Sequence, residues 1–517
     1  MLASKHRWPL LAALALAACT KVDEAPQRLF VAPAVFDLGD GRAGFAERGY
    51  LFVPENRDKP QSATIGVHFM RFRSTAAQPA TPIFLLAGGP GGSWIPGLTE
   101  GTAGIGAPAA GNFRVVLQIL EDLRSAADVV VIDQRGAGLS MPQMDCPNHQ
   151  QLVPNDSPYS REPVTASFQQ FARDCKQAWV QRGRDLDGYH AVQLADDIDD
   201  LRRALGYQKI SLLGGSFGSE WGFVTLRRHP QIIERVVFHG LEGINNTYDA
   251  PSEILKSFQA ILAAAERDAD VAPHVPKGGF LTSIERRIDE LGAHPVTVPA
   301  KDPITGAPVQ VAVGADELRQ AWRPPASRVE VRNWPASLLS IVNGDLSAVA
   351  AQAAKTKLFN PRPTANHTAM GMAIDCGLSP SAARMTQLAQ DPAIKLVGDL
   401  NLPYFAICSE WRAQNIHADW LETLRTDVPA LFLHGTWDGS TPLSNATEIA
   451  GGFSNGHLVV VEGGTHGVFG DLYREQPETI RPLIRRFFAG EPIADAPERV
   501  VLAPVDFTPP IVKSNKE

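Results

Sequence analysis

The first half of the chain alternates short apolar runs that end in glycine with stretches of helical periodicity. "RGYLFVPENRDKPQSATIGVHFMRFRS" gives two extended runs about a polar, proline-containing turn, a hairpin pattern. "PIFLLAGGPGGS" (82–93) and "ADVVVIDQRGAGLS" (127–140) each read as a buried, β-branched strand that runs into a glycine-rich loop. In "LADDIDDLRRALG" (194–206), Leu194, Ile198, Leu201 and Leu205 share one helical face. The strand "KISLLGG", a helical run and the strand "IIERVVFHG" follow. Strands that alternate with helices in this way predict an α/β fold with a mostly parallel, doubly wound sheet covered on both faces.

That rhythm stops near residue 246. From 246 to 425 the pattern is mostly helical with proline-rich joints, as in "SEILKSFQAILAAAERD", "TSIERRIDELG" and "PASLLSIVNGDLSAVAAQAAK". Strand signals return in "PALFLHGTWDGSTP" (429–442) and "GHLVVVEGGTHG" (456–467), and "PETIRPLIRRFFAG" closes as a helix. The expectation is one core in two parts, 41–245 and 426–490, split by a helical cap insertion over 246–425. An insertion at the carboxyl edge of a parallel sheet is placed to roof a site there. The proline-rich residues 491–517 form a tail that hugs the surface or frays.

The N-terminus narrows the cellular setting. Lys5, His6 and Arg7 precede the apolar run "PLLAALALAA", which is too short to span a bilayer, so residues 1–18 read as an export signal. "LAAC", Leu16 to Cys19, resembles the lipobox of bacterial lipoproteins. That resemblance implies cleavage before Cys19, acylation of its thiol and a lipidated tether over 19–40. With Thr20 next, it implies anchoring at the outer membrane, facing the periplasm. The remaining four cysteines, Cys146, Cys175, Cys376 and Cys408, allow three pairings. The local one, Cys146–Cys175 with Cys376–Cys408, suits an exported protein.

Composition excludes several classes. The 20% charged and 44% hydrophobic content is that of an ordinary globular protein. A net charge of −8 without a basic run argues against a nucleic-acid partner. No cysteine–histidine cluster has metal-ligand spacing, and no cofactor is expected.

Candidate chemistry gathers where strands end. "GGSFG" places Ser216 on the sharp strand-to-helix turn of a G-x-S-x-G motif. A serine hydroxyl needs a base beside it. The partners expected in this topology, an acid and then a histidine, are Asp438 in "GTWDGSTP" and His466 in "GGTHG", 28 positions later. The N–H of Phe217 and an N–H from the "LLAGGPGGS" loop, Gly89 first and Gly88 next, are the expected oxyanion donors. Gly91 and Gly92 read as turn formers.

"GGPGGS", "DQRGAGLS", "GGSFGS", "GTWDGSTP" and "GGTHG", in this order across residues 45 to 490, resemble the proline iminopeptidase and tripeptidyl aminopeptidase family of α/β-hydrolases. The resemblance implies a serine exopeptidase acting on short peptides with a free N-terminus, access being restricted by a helical cap. Ala87 stands where the first family motif often begins with histidine, and the insertion is the least family-like part. The same acyl-transfer chemistry also serves carboxylesterases, and a non-catalytic binding lipoprotein is a third reading.

An aminopeptidase needs a carboxylate for the α-ammonium group. Glu242, just past a strand end, is the first candidate. Glu220, on the helix after Ser216, reads more as a tie between cap and core. Trp94 either lines a pocket or packs beneath the cap. Asp133 and Arg135 read as structural and His434 as packing, while Asp196, Asp197, Asp199 and Asp200 are expected on a solvated helix face.

Overall fold

A computed structural model describes residues 28–37, 43–95, 113–146, 150–359, 368–413 and 418–509. The signal segment, Cys19 and most of the 19–40 tether lie outside the described residues. Among the described residues ten strands form the central sheet: β1 (Leu29–Asp37), β2 (Ala43–Pro54), β3 (Thr64–Phe72), β4 (Ala80–Leu86), β5 (Ala127–Ile132), β6 (Ile210–Ser216), β7 (Ile233–Leu241), β8 (Ala430–Gly435), β9 (Gly456–Glu462) and β10 (Arg499–Val501). Their spatial order is β1-β2-β3-β5-β4-β6-β7-β8-β9-β10. From β5 to β10 all neighbours are parallel, and β1, β2 and β3 join antiparallel at one edge.

The sheet is covered on both faces, which is why its central strands are apolar throughout rather than alternating. Leu212, Val236, Phe238 and Phe432 point into one core, with the helices Arg161–Gln181, Ala191–Ala204 and Phe217–Arg228. Leu213, Val237, Leu431 and Leu433 point into the other, with Phe113–Arg124, Val468–Glu475 and Pro477–Ala489. A third core lies in the 246–425 region, where Phe258 meets Trp322 edge to face at 5.1 Å. This region leans on the sheet's carboxyl edge: Ser257 Oγ, on the helix Pro251–Ala265, donates to the Asp438 carbonyl at 2.6 Å.

Several expectations need correction. The tether expected over 19–40 contains β1, paired residue for residue with β2 from Leu29↔Leu51 to Asp37↔Ala43. Being an edge strand it leaves Phe30 and Val35 exposed, so its apolar pattern lacks the regularity of a buried strand. The mostly helical reading of 246–425 missed the hairpin Val296–Lys301/Pro308–Val313. Its turn is fixed by the Asp302 carboxylate, which accepts from the Ile304 and Thr305 N–H groups. The helix Arg161–Gln181, sequentially inside the core, packs on the helix Leu402–Trp411, where Arg173 pairs with Glu410 at 2.9 Å. The tail supplies β10, and Leu502, Val505 and Phe507 beyond it are buried. The acidic face of Ala191–Ala204 is not solvated: Asp197 is buried between Arg57 and Arg135, and Asp200 is buried against Arg57.

Both disulfides are the local pairs, Cys146–Cys175 and Cys376–Cys408. The first ties the loop after β5 to Arg161–Gln181. The second ties Ala369–Gly377 to Leu402–Trp411. Among the described residues no helix is long and apolar enough to cross a membrane, and no group of His, Cys, Asp and Glu could hold a metal ion.

Candidate active site

Parallel strands bring their carboxyl ends to one edge of the sheet, so residues far apart in sequence gather there. β6 ends in Ser216 with φ 55° and ψ −133°, one of two non-glycine residues with positive φ among the described residues. Such a backbone costs roughly 1–3 kcal/mol and persists only where surrounding packing imposes it. Here the packing needs glycine on both sides. A Cβ at Gly214 would lie 2.5 Å from the Gly218 carbonyl oxygen, and one at Gly218 would lie 2.3 Å from that of Leu86. The turn is held further by Ser219, whose hydroxyl donates to the Ser216 carbonyl at 2.7 Å and accepts from the Glu242 N–H at 3.0 Å. Ser216 itself stays partly exposed at the start of Phe217–Arg228. The Phe217 N–H thus belongs to the first helical turn, where backbone donors have no intrahelical acceptor.

The loop after β4 lies against this turn. A Cβ on Gly88 would sit 3.3 Å from that of Ser216. Gly91 N–H donates to Gln134 Oε1 at 2.8 Å and Gly92 N–H to the Gly88 carbonyl at 3.0 Å, so the loop uses those two donors internally. Gly88 and Gly89 keep theirs unspent within the loop. Asp133 supports it from β5 by accepting from the Ser93 hydroxyl and the Leu139 N–H. Arg135 is fully buried and bridges Asp197 to the Glu55 and Gly188 carbonyls.

Asp438 and His466 meet past the ends of β8 and β9. His466 Nδ1 stands 2.9 and 3.0 Å from the two Asp438 oxygens. Ser440 and Thr441 N–H groups donate to Asp438 Oδ1, and the Thr441 hydroxyl donates to Oδ2 at 2.9 Å. Burial alone would raise the Asp438 carboxyl. The His466 charge and hydrogen bond, with His434, outweigh it and hold the group down at about 2. For His466, desolvation disfavours the imidazolium, yet Asp438 and Asp249 leave the ring more basic than usual. Its side chain remains 22% exposed, whereas Asp438 is fully enclosed.

β7 leaves room for the His466 ring beside β6. Ser216 pairs across the sheet with Leu241 after an irregularity, and the residue at the bulge is Gly240, φ 51°. A Cβ there would sit 3.2 Å from His466 Cε1, so glycine opens the space the imidazole occupies beside the Ser216 strand. His434 packs below: its Nδ1 accepts from Leu241 N–H and its Nε2 meets the Thr441 carbonyl at 2.9 Å.

A group of carboxyls adjoins these residues. Glu220 is fully buried, with Oε1 accepting the Thr247 hydroxyl at 2.6 Å and Oε2 without a partner. Glu242 stands partly open to solvent. Desolvation, then mutual repulsion with Asp375 and with each other, raises both well above the ordinary glutamate range. Asp249 is pushed up to about 7, chiefly by desolvation. Trp94 is elsewhere: it packs with Leu85, Val116, Leu213 and Phe469 in the second core.

Sequence reasoning missed Thr441, Asp249, Asp375 and His239. Thr441 had a local signal, since "DGSTP" is the pattern of a carboxylate-capped turn. His239 lies half-buried in β7, stacked on Phe469 at 5.1 Å, and desolvation lowers its ring to about 3. Asp249 and Asp375 sit in no motif, and only packing of 246–425 against the sheet joins them to Glu220 and Glu242.

Residues 81–283 match the family model described as alpha/beta hydrolase fold, and residues 395–490 match that of the TAP-like protein. The tripeptidyl aminopeptidase of Streptomyces coelicolor is 25% identical over 460 residues, covering 82% of this chain and 77% of that protein.

The chain has the α/β-hydrolase fold.

The serine protease Hip1 of Mycobacterium tuberculosis is 28% identical over 225 residues, 42% of this chain and 40% of that one. Among solved structures, the proline iminopeptidase of Mycobacterium smegmatis aligns at 14% identity with a TM-score of 0.39, covering 85% of this chain and 98% of that one.

Proposed function

We propose that this α/β-hydrolase is a serine peptidase that releases residues from the free N-terminus of short peptides. Ser216 attacks the scissile carbonyl, His466 takes its proton and returns it to the leaving amine, and buried Asp438 fixes the ring so that Nε2 is the basic nitrogen. The N–H groups of Phe217 and Gly89 receive the oxyanion, and water then hydrolyses the acyl-enzyme. Glu242 and Glu220, joined by Asp249 and Asp375, meet the α-ammonium group. The observation that carries this reading is the His466–Asp438 pair lodged over Gly240, one strand from the strained Ser216 turn.

The test is Ser216→Ala. It should lower kcat on an unblocked tripeptidyl anilide by roughly 10⁴–10⁶ and abolish labelling by a fluorophosphonate, with the melting curve unchanged. Turnover like that of the parent protein would refute the assignment. N-acetylation of the substrate separates a peptidase that reads the amine from an esterase, which tolerates the block.

We further propose export and lipid anchoring through Cys19 at the outer membrane, facing the periplasm, which the signal-like N-terminus supports. Incorporation of labelled palmitate that persists in Cys19→Ser would overturn it.

A further inference from the structure

Between the helix Arg161–Gln181 and the 246–425 region lies a cavity of about 990 Å³, at the upper end of the range for sites that enclose small organic ligands. Ser216, Asp438 and His466 do not line it. Its walls are mixed: Phe168, Ile304, Leu402 and Pro403 supply apolar surface, and Arg161, Arg319, Arg323, Lys355 and Lys395 supply charge. Only two acids share the lining, Asp399 and Asp316, and they are engaged by Arg161 at 2.5 Å and by Arg319 at 2.7 Å. Among the described residues no acidic side chain forms an ion pair with Lys355 or Lys395. The cavity is thus net positive in a chain whose formal charge is −8.

The cavity also neighbours the catalytic edge. Arg323 lines it, with Nη2 reaching the Val397 carbonyl at 3.4 Å, and its charge acts on the Asp249 carboxyl, which also feels Asp438 and His466. The wall segment Leu402–Pro403 follows Asn401, whose side chain accepts from the Asp249 N–H and donates to the Asp249 carbonyl. Acidic Glu220, Glu242, Asp375 and Asp249 thus belong to the catalytic edge, and basic Arg323, Lys395 and Lys355 to the cavity beside it. A short peptide with both ends free has the opposite polarity, ammonium at one terminus and carboxylate at the other. The apolar walls disfavour a small, doubly charged anion and suit a monoanion carried on an apolar body.

We propose that this cavity receives the C-terminal carboxylate end of a short apolar peptide, so that a free C-terminus becomes part of substrate selection. The proposal rests on the peptidase reading above. Because the two guanidiniums held by Asp399 and Asp316 are already paired and Arg323 is turned to the Val397 carbonyl, Lys355 and Lys395 carry the recognition.

The test is calorimetric titration of the Ser216→Ala protein with an apolar tetrapeptide acid and with its C-terminal amide. The acid should bind roughly three- to tenfold more tightly, the gain two partly exposed ion pairs supply, and high salt should erase the difference. In Ser216→Ala/Lys355→Ala/Lys395→Ala the acid and amide should bind within twofold of each other. Equal affinities before the lysines are removed, or a preference that survives their removal, would overturn the proposal. Decanoate serves as a second carboxylate on an apolar body, and its binding more tightly than the peptide acid, with the same lysine dependence, would overturn the peptide assignment. Turnover of a tripeptidyl anilide by the unmutated enzyme is scored separately. Its absence counts against the peptidase reading, while the acid-to-amide ratio still judges the cavity.

Discussion

Asp438→Asn tests how this site makes a base. Two backbone N–H groups, of Ser440 and Thr441, donate to Oδ1, so an asparagine must keep its carbonyl oxygen there. Its NH2 then falls where Oδ2 now accepts from His466 Nδ1 and the Thr441 hydroxyl. An amide donor facing Nδ1 forces the imidazole proton onto Nε2, the nitrogen that must accept from Ser216. Activity should fall by roughly 10³–10⁴, about 4–5.5 kcal/mol of transition-state stabilisation. The charge itself can be gauged from the carboxyl, which is lowered from 3.8 to about 2. At 1.36 kcal/mol per pH unit that is about 2 kcal/mol of preference for the ionised form. A depressed carboxyl stabilises the fold above its unfolded value and loses that contribution as pH falls toward 2. The variant should therefore be about 2 kcal/mol less stable at pH 7 and converge with the parent near pH 2. With the carboxylate gone, His466 becomes less basic, so the acid limb of kcat/KM should move to lower pH. Stopped assays on a tripeptidyl anilide across pH 4–9, with denaturant melts at both extremes, measure all three. Activity within tenfold of the parent, or an acid limb that stays in place, would refute the reasoning.

Desolvation favours the protonated forms of Glu220, which is fully buried, and of the partly buried Glu242 and Asp249. An incoming ammonium group favours their ionised forms, so peptide binding should release protons and strengthen as pH rises through 7. Titrations in buffers of different ionisation enthalpy measure the release, and Glu242→Gln should reduce it while raising KM for free peptides more than for N-acetylated ones. Lys357 Nζ, wholly buried, pairs with Glu317 at 2.9 Å and donates to the Ser157 and Ala312 carbonyls at 2.7 Å. Lys357→Met leaves Glu317 buried and uncompensated, and thermal or urea unfolding should show a loss of roughly 3–5 kcal/mol that Glu317→Gln in the same chain largely restores.

Local chemistry sufficed for the elements and for the residues at strand ends. A parallel strand buried on both faces must be apolar throughout, and Ser216 must follow and precede glycine because Gly214 and Gly218 leave no room for a Cβ. "VVVIDQRG", "GGSFG", "GTWDG" and "GGTHG" were legible for that reason. Edge strands and long-range partners were not. β1 is half exposed, so its pattern is diluted, and the hairpin Val296–Lys301/Pro308–Val313 interrupts a helical stretch over a few residues. The acidic residues of Ala191–Ala204 looked solvated because their partners, Arg57 and Arg135, arrive from elsewhere in the chain. The carboxyl cluster is the clearest case. Glu220 and Glu242 flank the Ser216 turn in sequence, but Asp249 and Asp375 join them only when the insertion folds back on the sheet. Desolvation then raises all four, and repulsion from neighbouring carboxylates adds to it at Glu220, Glu242 and Asp249. Sequence by itself determined which groups stand at the strand ends, since backbone sterics act between neighbours. Tertiary structure decided which charges share a dielectric, since that depends on the segments that exclude water from them.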